Sequence, residues 1–178
     1  ADGRAIVAGD MHLGLRAPNI WFRARLTYPD ARAPGGQVDI GGFTLPGIPA
    51  VIVGSNGHVA WSFTNSYGDW LDFYKVEWAN ADRSRYRVPG GQQALRVATE
   101  WIAVKGASPV ELKVRETRWG PITGELDDTT SLALRWTAQL PGALNFDLAN
   151  LAYAPDLDSA QAVADLAGIP AQNLVIGD

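Results

Sequence analysis

The 178 residues contain no cysteine and only two histidines, His12 and His58. Disulfides and thiolate metal sites are thereby excluded, and either redox compartment stays open. A phosphate-binding stripe is missing too. The fifteen Lys and Arg are scattered and the net charge is −4, so no nucleic-acid partner is expected. No apolar run approaches the length of a bilayer span, so no membrane partner is expected either. The richest passage, PAVIVGSNGHVAWSFTNSYGDWLDFY (residues 49–74), carries aromatics, Gly-flanked turns and two aspartates, yet no nucleophile beside a base.

What is present points to a β-rich globular fold. Hydrophobic residues make up 47% and charged residues 19%, enough for one globular domain with a real core. Seven Trp and five Tyr suit a large β core, or less often a wall of ligand-stacking rings. Strands are expected at 5–9, 20–28, 38–45, 50–54, 58–65, 72–78, 94–104, 110–117, 131–137 and 173–176. Gly, Pro and Asn/Asp pairs punctuate them. The strict alternation of residues 110–115 predicts one buried and one wet face. A single helix is expected over 159–167, with Asp158 as N-cap, Gln161 completing a capping box, and Gly168 and Pro170 ending it. Residues 79–109 read as a polar hairpin arm. The Ala-Asp-Gly-Arg turn at the start and the strand-like run ending in Gly-Asp suggest a piece of a longer polypeptide.

Residues 45–69, LPGIPAVIVGSNGHVAWSFTNSYGD, resemble the β-subunit of the penicillin acylase (penicillin amidase) family of N-terminal-nucleophile hydrolases. The match runs through Pro46-Gly47-Ile48-Pro49, Gly54-Ser55-Asn56, Trp61, Thr64-Asn65 and Gly68-Asp69. GDMHLGL (9–15), VRETRWGPI (114–122), LALRWTA (132–138) and PAQNLVIGD (170–178) extend it in order over nearly the whole chain. Met11, Ser55, Trp119 and Gly177 depart from the family's usual residues. The resemblance implies a β-dominated α+β structure, part of a four-layer αββα fold. It implies an amide hydrolase acting on penicillin-like or other N-acyl compounds, a small-molecule substrate. Its partners would be an α-subunit and the remainder of the β-subunit, cut from one precursor in the periplasm or beyond. No export signal lies in these residues.

The family's nucleophile is the first residue of the β-subunit, a Ser that the resemblance places upstream of Ala1, so these residues alone are expected to be inactive. The free α-amine of such a Ser serves as its own base. The remaining fold then needs only an oxyanion hole and an acyl pocket, built from N–H groups, amides and apolar walls. The resemblance assigns the oxyanion donors to the backbone N–H of Asn65 and the side chain of Asn173, and sets His12 beside the nucleophile. Taken alone, each asparagine reads as a turn or strand-start residue bonding local backbone, and His12 as a structural histidine. Leu13, Val53 and Phe63 match pocket-wall positions, and equally fit alternating core residues. Asp69, the Leu71 carbonyl and Asp72 match a calcium loop, and equally fit a solvated acidic turn. His58 reads as a surface residue. Two other functions fit the chain: an acyl-homoserine lactone acylase of the same family, and a noncatalytic aromatic-rich module that would need Trp61, Trp101, Trp119 and Trp136 exposed.

Overall fold

The computed structural model describes residue 3, residues 5–10 and residues 12–178. The turn expected over residues 1–4 lies, apart from Gly3, outside the described residues, as does Met11. The chain folds as two compact units, Ala1–Gly68 with Pro141–Asp178, and Asp69–Leu140.

The first unit opens with β1 (Phe22–Pro29), β2 (Gln37–Thr44), β3 (Val53–Ser55) and β4 (Ala60–Phe63). The second unit holds β5 (Leu71–Glu77), β6 (Arg85–Val88), β7 (Gly91–Ala94), β8 (Arg96–Ile102), β9 (Val110–Thr117), β10 (Gly120–Glu125) and β11 (Thr130–Trp136). The chain then returns to the first unit with helix α1 (Leu157–Leu166) and strand β12 (Leu174–Gly177). One sheet runs β1-β2-β3-β4-β12, a second β5-β11-β10-β9-β8, and β6 pairs with β7 alone; every described pairing is antiparallel. This is the β-dominated α+β structure the sequence implies.

The first sheet has one strongly apolar face because its inward positions alternate: Val38 and Ile40 on β2 and Trp61 on β4 are all buried. α1 and the 3-10 segment Asp147–Tyr153 cover that face through Ala160, Leu148 and Leu151. α1 starts two residues earlier than the pattern suggests. Asp156 is the N-cap, its carboxylate accepting the Ser159 N–H at 2.8 Å, and Asp158 sits in the first turn instead. Both aspartates stand three before a residue able to close a cap. The earlier one is the cap: its backbone is extended and its carboxylate accepts the Ser159 N–H.

Other differences follow from contacts made in the fold. Residues 5–9 form no strand. Ala5 N–H donates to the Asp178 carbonyl at 2.7 Å, and Gly9 then lies so close to Ser62 on β4 that a Cβ there would overlap its hydroxyl. β6 and β7 hide in a polar, charged stretch joined by the Pro89-Gly90 turn, inside the expected arm. β10 begins with Gly-Pro, which reads as a turn; at Gly120, φ is +140° and a Cβ would strike the Leu134 carbonyl. The alternation of 110–115 does not bury a face. Val110 and Leu112 stay 53% and 47% exposed, because β9 pairs out to the sheet-edge strand β8 and no described element of the unit covers them.

Ser62 is itself instructive. It is 3% exposed and its Oγ has no hydrogen-bond partner among the described residues. A buried unpaired hydroxyl is a cost rather than a support. Ser62→Ala is therefore expected to raise stability by about 1 kcal/mol, read as a higher denaturant midpoint. An equal or lower midpoint would mean the hydroxyl finds a partner.

Candidate active site

The site grows from the end of β4 and the start of β12. Phe63 lies opposite Leu174 in the ladder. One residue further on, Thr64 N–H donates to the Asn173 carbonyl and Asn173 N–H donates to Thr64 Oγ1, both at 3.1 Å. The two asparagines singled out in the sequence therefore emerge from neighbouring strand ends. Asn173 has both backbone groups committed, and its side-chain amide has no partner among the described residues. Asn65 is the complement: its side chain donates to the His12 carbonyl at 3.4 Å, while its backbone N–H is unpaired among the described residues.

Beside this junction the first unit contains a mostly apolar cavity of about 680 Å³. His12, Leu13, Val53, Phe63 and Asn65 all line it, so five of the six residues assigned to catalysis or substrate meet there. Asn173 is not on its wall; the adjoining Gln172 is. Trp21, Leu144, Asn145 and Phe146 also face it, and sequence reasoning had not singled them out. His12 is exposed, with Nε2 3.2 Å from the equally exposed Asp10 carboxylate. His58 is exposed.

Two further asparagines hold the walls. Asn56, 7% exposed, donates from Nδ2 to the Leu151 and Ala154 carbonyls at 2.9 and 2.7 Å, and accepts at Oδ1 from His58 and Val59 N–H. Asn145 donates to the Leu166 carbonyl at 2.8 Å and accepts from Asp147 and Gly168 N–H, stapling the cavity loop to the end of α1. Gly168 is needed for that approach, since a Cβ there would come within 2.8 Å of Asn145 N. The Gly-x-Asn motif contained a signal for Asn56; nothing local marks Asn145.

No serine or threonine hydroxyl hydrogen-bonds a histidine among the described residues. Ser66 Oγ donates to the Ala171 carbonyl, Ser55 Oγ accepts from Gly57 N–H, and Ser62 is buried. The arrangement offers N–H donors, an amide and an apolar cavity, without an internal nucleophile–base pair.

The acidic turn belongs to the second unit. Asp69, Leu71 and Asp72 are exposed; Asp72 sits on β5 opposite Arg135, and Leu71 opposite Trp136. Among the described residues no group of three or more His, Cys, Asp or Glu gathers. Two carboxylates and one carbonyl fall short of the ~6–8 oxygens calcium takes, so these residues do not by themselves make a calcium shell. In the same unit Trp119 is half-buried, stacked on Tyr74 at 5.4 Å, while Trp101 and Trp136 are 65% and 44% exposed. Those two stand on β8 and β11, with β9 and β10 between them, and Trp61 is in the core of the first unit. The four indoles do not make one binding platform.

Comparison with known proteins identifies the family. The chain matches the family model described as penicillin amidase over residues 1–178. It is 33% identical over 121 residues to the acyl-homoserine lactone acylase QuiP of Pseudomonas aeruginosa, covering 67% of this chain and 14% of that protein. It is 30% identical over 183 residues to the penicillin acylase 2 proenzyme of Pseudomonas sp. strain SE83, covering 100% of this chain and 22% of that protein. The chain thus spans less than a quarter of the length of either relative. A thermostable penicillin G acylase from Alcaligenes faecalis superposes with a TM-score of 0.70 at 21% identity, over 90% of this chain and 28% of that one, a likeness of fold. The chain belongs to the penicillin amidase family.

Proposed function

We propose that these residues form the oxyanion-hole and acyl-pocket part of an amide hydrolase of the N-terminal-nucleophile type, working on N-acyl compounds. One observation carries the reading. A backbone N–H at Asn65 and an amide at Asn173, both without a partner among the described residues, stand on hydrogen-bonded strand ends, beside an apolar cavity walled by Leu13, Val53 and Phe63. In this mechanism a Ser hydroxyl attacks the acyl carbonyl and its own α-amine takes the proton. The two donors hold the oxyanion as charge develops. The cavity takes the acyl chain, and His12, beside Asp10, lies at its border. The Ser belongs to a segment outside these 178 residues, and an α-subunit completes the enzyme.

The leaving group admits two readings. Penicillin-like amides fit the family, and acyl-homoserine lactones are favoured by the 33% identity to a lactone acylase. The test is turnover by the processed, full-length protein on both substrate types, against the 178-residue chain alone. Activity only in the full-length protein supports the mechanism. Turnover by the isolated chain that disappears in Ser66→Ala would overturn it.

We also propose that Asp69, the Leu71 carbonyl and Asp72 are part of a calcium shell completed by oxygens from the partner subunit. In calorimetry of the full-length heterodimer, a chelator is expected to lower the melting temperature, and Asp72→Asn to remove that difference. Identical melting with and without chelator would leave a solvated turn.

A further inference from the structure

A second cavity in the first unit, also of about 680 Å³, lies between α1 and β12 and has no part in the proposed mechanism. Phe63, Leu174 and Ile176 give it apolar walls, while Asp158, Gln161 and Asp165 on α1 line its other side. These three stand three and four residues apart, so they form one stripe along the helix, and all are exposed. Neither aspartate has a cationic partner among the described residues. Asp165 only accepts from the Gln161 amide, at 2.8 Å. No Lys, Arg or His lines the cavity. The sequence around it is the reason: residues 136–178 contain five aspartates and no basic residue. That stretch is more negative than the whole chain, whose net charge is −4.

An apolar recess bordered by carboxylates of one sign is complementary to a segment that carries both apolar and basic side chains. Phe63, Leu174 and Ile176 are only half-buried, so a cover would remove further apolar surface from water. β12 is also the end strand of its sheet, with β4 as its only described neighbour. The relatives are long enough to supply the cover, since this chain spans 14% and 22% of two of them. We propose that this cavity seats a Lys- or Arg-bearing apolar segment of the same precursor, from outside these 178 residues, with its basic side chains on Asp158 and Asp165. The inference rests on the reading of the chain as one part of a larger processed enzyme. Phe63 and Gln172 line this cavity and the acyl pocket alike, so the seated segment backs directly onto the wall of the acyl pocket.

The test replaces Gln161 by the photo-crosslinker p-benzoylphenylalanine in the full-length processed protein and identifies the product by mass spectrometry. The expected product joins position 161 to a peptide outside residues 1–178 that contains Lys or Arg. Adding Asp165→Lys is expected to lower its yield about tenfold, because like charges then face each other. Glu100→Lys, the same charge change at a residue that does not line the cavity, is expected to leave the yield unchanged. A product within residues 1–178, with a second copy, or with a peptide lacking Lys and Arg would overturn the proposal, as would no protein product at all. So would equal losses from Asp165→Lys and Glu100→Lys, or no loss from either. Turnover of an N-acyl amide is read on the same protein before irradiation. Its absence would overturn the amide-hydrolase reading, while the crosslink still decides what fills the cavity.

Discussion

Asn173→Ala, made in the processed full-length protein, is expected to lower kcat roughly 10²-fold or more, with a far smaller change in KM. The expectation rests on how Asn173 is held. Its N–H and C=O are both engaged by Thr64, so the backbone is fixed and the free amide projects from a defined position. A donor aimed at an oxyanion interacts weakly with a neutral carbonyl and strongly once charge develops, so its loss appears in kcat rather than in binding. The partner donor behaves differently. In the proposed oxyanion hole Asn65 would contribute its backbone N–H, which Asn65→Ala retains, and only the 3.4 Å bond to the His12 carbonyl is lost. Asn65→Ala should therefore cost several-fold at most. Steady-state kinetics on one N-acyl amide decides both points. An unchanged kcat in Asn173→Ala would reject the amide's role, and equal losses in the two variants would point to general loosening of the strand junction.

The contrast between these asparagines marks where sequence was legible. β9, bounded by Pro109 and the turn after Thr117, stands where alternation and turn residues put it, because both signals are local. The burial of its faces was not legible, since that depends on what packs over the sheet. β6 and β7 escaped because pairing of Arg85–Val88 with Gly91–Ala94 is set by the Pro89-Gly90 turn and not by apolar alternation. At the site, the motifs named five residues that line one cavity. They could not name Trp21, Leu144 or Phe146, which join the wall only through the fold: 144 and 146 follow the whole second unit in the chain. Asn56 stood inside a quoted motif, yet its partners Leu151 and Ala154 lie about a hundred residues away, so its job could be seen only in three dimensions.

That job gives the largest expected effect on stability. Asn56→Ala is expected to cost about 3 kcal/mol. The residue is buried, and its amide is fully used: two N–H groups on the carbonyls of Leu151 and Ala154, and one oxygen shared by the N–H groups of His58 and Val59. Removing it leaves the Ala154 carbonyl and two N–H groups short of partners, and the Leu151 carbonyl with only the Ala154 N–H, around a core where Leu151 is fully buried. It also unties the β3–β4 turn from the 3-10 segment that supplies Leu148 to both the core and the cavity wall. Against a typical total of about 5–15 kcal/mol, that loss is large. Asn56→Asp separates hydrogen bonding from volume. It is nearly isosteric but replaces the doubly donating NH2 with a carboxylate oxygen facing two carbonyls, so it should cost at least as much as Ala at neutral pH. Chemical denaturation of the three proteins is the measurement, with the midpoint read at constant slope. If Asn56→Asp were close to the unmodified protein, the side chain would be filling space rather than tying the turn to the helix-side layer.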